Sequence, residues 1–189
     1  MKNAIRLLIC LGVMLVSMSA AWAASDKSTV QEGANFFGIN RLALMMPNYV
    51  PAERGDITKE ELVDVIYKPH GDTGFQVLSY DEVAREILTL SNINIKTLNR
   101  HKAAKTFVEY APKFCDAYIV LTVANNKGID CFFDVHRAGT NELLYTYQIA
   151  SGSSERGKDL DNVYRILAEK FYGNLDRTIK DQQKKALKK

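Results

Sequence analysis

Three apolar segments separated by two turn sequences dominate the second half of the chain. YIVLTVA, residues 118–124, is β-branched and apolar without alternation, as is typical of a central strand covered on both faces. NNKG at 125–128 is a hairpin-type turn, and RAGTN at 137–141 separates CFFDV at 131–135 from LLYTYQIA at 143–150. Residues 116–150 therefore predict a three-strand antiparallel meander.

The amino-terminal segment MKNAIRLLICLGVMLVSMSAAWA, residues 1–23, has the parts of a secretory signal. Two basic residues begin it, an apolar run covers residues 7–16, and Ala23 closes an A-x-A cleavage site. The run is too short to span a bilayer comfortably, and the polar ASDKSTVQEG that follows is no stop-transfer element. The sequence predicts export, with a periplasmic or extracellular mature chain after cleavage near Ala23 and no transmembrane span. Retention of the signal as an uncleaved anchor is the alternative.

Export makes a disulfide between Cys115 and Cys131 the first hypothesis. If residues 125–128 close a hairpin, however, Cys131 lies opposite residues 122–124 of the first strand. Cys115 lies seven to nine residues before these positions on the same strand. At about 3.3 Å per residue the separation is roughly 23–30 Å, whereas a disulfide needs Cα atoms within about 7 Å. The meander therefore predicts two unpaired thiols that behave as small buried apolar residues.

The 166 residues that follow the signal suffice for one domain with a substantial core. Residues 24–36 are polar and unpatterned, so we expect a flexible leader, followed by a single globular domain over residues 37–189. The signal carries two basic residues and no acidic one, so its removal lowers the formal charge from +3 to +1. A nearly neutral domain argues against nucleic acid as the partner.

Strand and helix signals alternate before the meander. Residues 39–46 read as a buried first strand, and FQVLS at 75–79 reads as a second. TKEE at 58–61 and SYDE at 79–82 have the spacing of capping boxes, and each predicts a helix start. NINIK at 92–96 fits a short edge strand or a loop, and a third helix is expected from about Asn99 to Pro112.

The chain ends in a long amphipathic segment over residues 159–185. Its apolar positions form one helical stripe, so we expect a long helix that lies on the sheet. The members of the stripe are Val163, Ile166, Leu167, Phe171, Leu175 and Ile179. The fold class is therefore α/β (α+β), with a mixed sheet of about five strands that ends in the meander and is packed by helices.

Four segments carry a resemblance to known proteins: RLALMMP, GFQVLSYDEV, CDAYIVLTVANN and FDVHRAGTNELLYTYQIAS. Their order resembles a family of small bacterial envelope domains over roughly residues 39–180. This family includes the amino-terminal domain of the Tol-system propeller protein, the curli-secretion lipoprotein and the lipoprotein activators of peptidoglycan synthases. The resemblance implies a non-enzymatic binding or assembly module located in the envelope.

Few residues are candidates for a functional site. Asp134 and His136 are two apart on a predicted strand and share a face, which would suit a paired acid and base or half of a metal site. Tyr145 and Tyr147 would join Asp134 on that side if the second hairpin pairs through residues 138–141, giving a possible binding surface. No nucleotide-binding, nucleophile-elbow or zinc-protease motif occurs in the sequence, so we expect no catalytic residue, no cofactor and no metal.

Three functions remain open. The first is an exported, non-enzymatic protein-interaction or assembly module whose partner is an envelope protein or a cell-wall component. The second is a periplasmic domain that binds a small ligand in a pocket between the sheet and the carboxy-terminal helix. The third is a hydrolase that uses Asp134 and His136. A weak contact with an anionic surface is a further possibility for Lys184, Lys185, Lys188 and Lys189, although lysines also suit the end of a helix.

Overall fold

The computed structural model of the chain describes residues 26–50, 57–124, 128–151 and 159–186, so the predicted signal, residues 1–23, lies outside the described part. The strands are β1 (Asp26–Val30), β2 (Arg41–Leu44), β3 (Gln76–Leu78), β4 (Ala117–Ala124), β5 (Ile129–Arg137) and β6 (Leu143–Ser151). The α-helices are α1 (Lys59–Tyr67), α2 (Tyr80–Ser91), α3 (Arg100–Tyr110) and α4 (Leu160–Ala186). Short 3-10 helices cover Lys68–Asp72, Ile95–Thr97 and Ala111–Lys113.

The predicted fold class is confirmed. One mixed sheet has the strand order β1–β6–β5–β4–β2–β3, in which β2 runs parallel to both β3 and β4. Strands β4, β5 and β6 form the predicted antiparallel meander. Cys131 lies opposite Val123, within the range that the hairpin argument gave, and both Cys115 and Cys131 are free and buried.

In the described part of the chain the sheet has six strands rather than about five, because part of the expected leader is a strand. Residues 26–30 form β1, which pairs antiparallel with β6 from Asp26 opposite Ile149 to Val30 opposite Tyr145. Sequence patterning gave no sign of β1, because all five of its side chains are exposed and an exposed edge strand needs no apolar alternation. The Tyr147 hydroxyl donates a hydrogen bond to the Asp26 carboxylate over 2.7 Å. This side-chain contact supports the backbone pairing of β1 with β6.

Helices α1 and α2 begin at the predicted capping boxes. The Thr58 hydroxyl accepts from the backbone N–H of Glu61, and the Glu61 carboxylate accepts from the backbone N–H of Thr58. Ser79 and Glu82 make the same reciprocal pair at the start of α2. The NINIK segment contains a 3-10 turn rather than a strand. Each cap satisfies backbone N–H groups that a helix start leaves unpaired.

Helix α4 covers one face of the sheet. The Phe171 ring stacks on the Phe133 ring of β5 with centroids 4.2 Å apart, and α4 also packs against α1. The predicted apolar stripe is buried except for Ile166, which is 39% exposed. The opposite face carries α2 and α3, where the Phe107 ring meets the Tyr118 ring edge to face. In the described part of the chain no helix has both the length and the hydropathy needed to cross a membrane.

Candidate functional site

The four residues of the predicted binding surface do not share a face. Asp134 lies opposite Thr146, whereas Tyr145 lies opposite Val135. Next to the turn, His136 lies opposite Leu143. If the strands had kept this register, Asp134 would lie opposite Tyr145 and share its face, as the sequence predicted. A β-bulge between Val135 and His136 shifts the register by one residue and moves the tyrosines to the other face.

Tyr145 and Tyr147 belong to the core beneath α4. Tyr145 is fully buried, and the Tyr147 ring lies 6.2 Å from the Phe171 ring between centroids. The Tyr147 hydroxyl donates to Asp26 and accepts from the Asn174 side-chain amide over 3.3 Å. Burial raises the pKa of Tyr147, and the hydrogen bond to the Asp26 carboxylate raises it further. These partners give the phenol a structural role.

Asp134 and His136 lie on the opposite face, where each has a partner of its own. The Thr146 hydroxyl donates to the Asp134 carboxylate over 2.7 Å. The His136 ring stacks on the Tyr118 ring with centroids 5.3 Å apart and planes 13° apart. His136 Nδ1 lies 3.2 Å from the Asn141 carbonyl oxygen, which can only accept, so Nδ1 carries the hydrogen in this bond. Among the described residues no hydrogen bond joins Asp134 to His136, and no group of three metal-binding side chains occurs.

Of the four basic residues considered for an anionic surface, Lys184 and Lys185 lie exposed in the last turn of α4. Lys188 and Lys189 fall outside the described residues.

A cavity of about 430 Å³ opens where β2 ends and the amino-terminal ends of α1, α2 and α3 come together. Its wall is apolar, and its rim carries charges of both signs. The wall includes Met45, Met46, Val63, Ile95, Leu98 and Phe107, and the charged rim consists of Lys59, Glu60, Asp64, Asp81, Lys96 and Arg100. The sequence-based prediction placed a pocket between the sheet and α4, but none of these residues comes from α4. There the stacked Phe133 and Phe171 fill the interface.

Three of the charged side chains of this cavity, those of Arg100, Lys96 and Asp81, have a polar partner at its opening. The Arg100 guanidinium donates to the Asn48 side-chain oxygen, and the Asn48 amide nitrogen donates to the Thr122 hydroxyl over 3.2 Å. Across the opening, the Lys96 ammonium lies 2.6 Å from the Asp81 carboxylate. A second cavity of about 320 Å³ also includes Asp81 and Lys96 in its lining, so this ion pair separates the two spaces.

A second feature that the sequence did not reveal is the free edge of β1. The backbone N–H of Gln31 donates to the Leu144 carbonyl over 3.0 Å. In an antiparallel pair, every second residue of a strand forms hydrogen bonds to the partner strand. Lys27 and Thr29, which are four and two residues before Gln31, therefore also point their backbone groups toward β6. It follows that Ser28 points its N–H and C=O away from the sheet. Among the described residues, β1 pairs with β6 alone.

Comparison with known proteins gives similarity to solved structures only, since no family model and no curated protein matches the chain. A PelC dodecamer from Paraburkholderia phytofirmans matches with a TM-score of 0.48 and 9% identity, over 82% of this chain and 98% of that one. The LpoB C-terminal domain from Escherichia coli matches with a TM-score of 0.42 and 11% identity, over 60% of this chain and 82% of that one. A DUF330 protein from Xanthomonas campestris matches with a TM-score of 0.41 and 10% identity, over 86% of this chain and 98% of that one.

These matches confirm, at the level of fold, the resemblance predicted from the sequence. Scores and identities this low say nothing about function.

Proposed function

We propose that the chain is a non-enzymatic, exported protein-interaction module of the bacterial envelope, which binds an extended segment of a partner protein along the free edge of β1. The single observation that carries the proposal is the outer edge of this strand, which pairs with no other strand in the described part of the chain. Unpaired backbone N–H and C=O groups of an edge strand are a template for a further strand. The secretory signal predicted at residues 1–23 supports the envelope location.

The position of β1 suits this role. All five of its side chains are exposed among the described residues. The other edge of the sheet is β3, which has only three residues, against five in β1. Asp26 and Lys27 are the only ionisable residues of β1, so the edge from Ser28 to Val30 carries no charge that would oppose a further strand. The proposed contacts of the module also include a weak one between an anionic surface and the exposed Lys184 and Lys185 at the end of α4.

The test uses the outward N–H of Ser28. Proline at this position removes that donor but leaves the bonds of Lys27 and Thr29 to β6 intact, because edge strands tolerate proline where the N–H faces solvent. Ser28→Ala is the matched control, since it removes the hydroxyl and keeps the N–H. A photo-crosslinking amino acid at Lys27 should yield a discrete adduct in cells of the native host. The adduct should persist with Ser28→Ala and disappear with Ser28→Pro.

The same crosslinker at Glu86, which is exposed on α2, serves as the positional control and should give no such adduct. Equal adducts at Lys27 and Glu86, or an adduct that Ser28→Pro leaves unchanged, would contradict strand addition at β1. Fractionation and amino-terminal sequencing of the mature chain test the location, and we expect a periplasmic or secreted chain that begins at Ala24.

A further inference from the structure

We propose that the 430 Å³ cavity between α1, α2 and α3 binds a zwitterionic ligand with an apolar side chain, a class that comprises free apolar α-amino acids and short unblocked peptides. The site is separate from the β1 edge, so this inference does not rest on the proposed protein interaction. The volume is within the range of small-molecule sites, which is about 300–1,000 Å³.

The cavity wall provides the apolar half of the site. Phe107 and Ile95 are buried and form a fixed surface, while Met45 and Met46 are half-buried at the end of β2. Methionine is unbranched and flexible, so its side chain adapts to apolar groups of different shape. The wall therefore suits an aliphatic or aromatic side chain without selecting a single one.

Arg100 provides a site for the carboxylate. Its contact with the Asn48 oxygen orients the guanidinium and engages one of its nitrogens, and the planar fork of five N–H donors has capacity for a carboxylate as well. The first turn of α3 contains no acidic residue. The positive end of the helix dipole therefore adds to the charge of Arg100. Among the described residues, the partner of Arg100 is an amide rather than a competing carboxylate.

Glu60 and Asp64 provide the complementary site for an ammonium group. They are four residues apart on α1, so they lie on the same side of the helix, and both line the cavity. The rim thus carries cationic and anionic groups around one apolar space. This combination matches a zwitterion better than a simple anion or cation, since either of those would meet repulsion from part of the rim.

The second cavity provides room for a longer ligand. It holds Leu88, which is 43% exposed, and it is separated from the main cavity only by the Asp81–Lys96 pair. The Asp81 side chain is 71% exposed and that of Lys96 is 48% exposed. Ion pairs with this exposure are weak and are readily displaced by a charged ligand. A peptide can therefore extend past this pair, whereas a single amino acid fills the main cavity alone.

Isothermal titration calorimetry on the full mature chain tests the proposal with defined probes. The probes are free leucine and the tripeptide Ala-Leu-Ala in four forms: unblocked, N-acetylated, C-amidated and blocked at both ends. We expect the unblocked tripeptide to bind and each block to weaken binding at least about tenfold, since each removes one charge from its partner. Leucine tests whether a single amino acid suffices.

Charge-removing variants then assign each end. Arg100→Gln should weaken binding of the unblocked peptide and abolish the effect of amidation, while the effect of acetylation remains. The double variant Glu60→Gln, Asp64→Asn should also weaken binding, but here the effect of acetylation should disappear and the effect of amidation should remain. Lys105→Gln is the matched control, because Lys105 is exposed on α3 and does not line the cavity. Far-ultraviolet circular dichroism confirms that every variant is folded.

Three results would overturn the proposal: no binding heat with any probe, equal affinity for all four forms of the tripeptide, or equal losses in Arg100→Gln and Lys105→Gln. Binding of leucine and of the tripeptide with similar affinity would assign the site to amino acids, and a clear preference for the tripeptide would assign it to peptides. A loss of adducts at Lys27 would not affect these results.

Discussion

Replacing Phe171 by alanine removes the side chain that joins α4 to the sheet. Phe171 is fully buried, and its ring stacks on Phe133 with centroids 4.2 Å apart. Phenylalanine-to-alanine changes in cores cost about 3–5 kcal/mol, because the transfer free energy is lost and a cavity remains. For a domain of this size each kcal/mol lowers the Tm by about 2–4 °C, so we expect a Tm lower by roughly 6–20 °C.

Ile166→Ala is the matched control, because it is a large-to-small change on the same helix at a position that is 39% exposed. It should cost about 1 kcal/mol or less, since partly exposed sites relax toward solvent. Urea unfolding of the mature chain, with circular dichroism and intrinsic fluorescence as probes, measures both changes. Coincident transitions and unchanged m-values would establish that the free energies are comparable.

The stacked pair itself is tested by a double-mutant cycle. If Phe133→Ala and Phe171→Ala interact through the stack, their costs should depart from additivity by about 0.5–1.5 kcal/mol. Equal losses of stability in Phe171→Ala and Ile166→Ala would refute the position of α4, because the stripe would then not face the sheet through Phe171. That result would also remove the reason for placing Tyr145 and Tyr147 in the core.

The cysteines and one carboxylate give two further predictions. Thiol titration should detect neither Cys115 nor Cys131 in the native mature chain and both after unfolding, because both are buried and burial raises the pKa of the Cys115 thiol to about 12. Finding fewer than two thiols after unfolding would contradict the register of the first hairpin. Burial raises the pKa of Asp176, but hydrogen bonds from Lys180 and from the backbone N–H of Gly74 outweigh it and leave the pKa below its usual value. The ionised Asp176 carboxylate therefore stabilises the fold above its unfolded-state pKa, and this stabilisation is lost as the pH falls through the folded-state pKa. Asp176→Asn should lower the free energy of unfolding near pH 7 and change it little at acidic pH, as measured by urea unfolding.

The parts of the fold that the sequence predicted are those with strong local signals. The capping boxes at Thr58 and Ser79 marked helix starts, and the apolar run at 118–124 marked a central strand. Strand β1 carries no such signal, because its pairing with β6 uses mainly backbone groups and its side chains are exposed. Ile166 shows the limit of a helical stripe: periodicity gives an angle around the helix but not the width of the surface that covers it.

The candidate sites were harder to predict, because they depend on relations between distant segments. One extra residue at a bulge decided which face Tyr145 and Tyr147 occupy, and neither β-propensity nor turn type revealed it. The cavity requires three helix starts to meet at the end of β2. The strand–helix–strand order before the meander was the available signal, because ligands in open α/β sheets bind beyond the carboxyl ends of parallel strands.

The two proposed sites should act independently, and the sheet order shows why. Strand β1 is four positions from β2, where the cavity begins, and neighbouring strands are about 4.8 Å apart, so the sites are separated by roughly 19 Å. The free-energy effects of two substitutions at this distance normally add when the two residues share no contact partner. Ser28→Pro should therefore leave peptide affinity unchanged, and Arg100→Gln should leave the adduct at Lys27 unchanged. If either variant changed both readouts, the edge and the cavity would be parts of one binding surface.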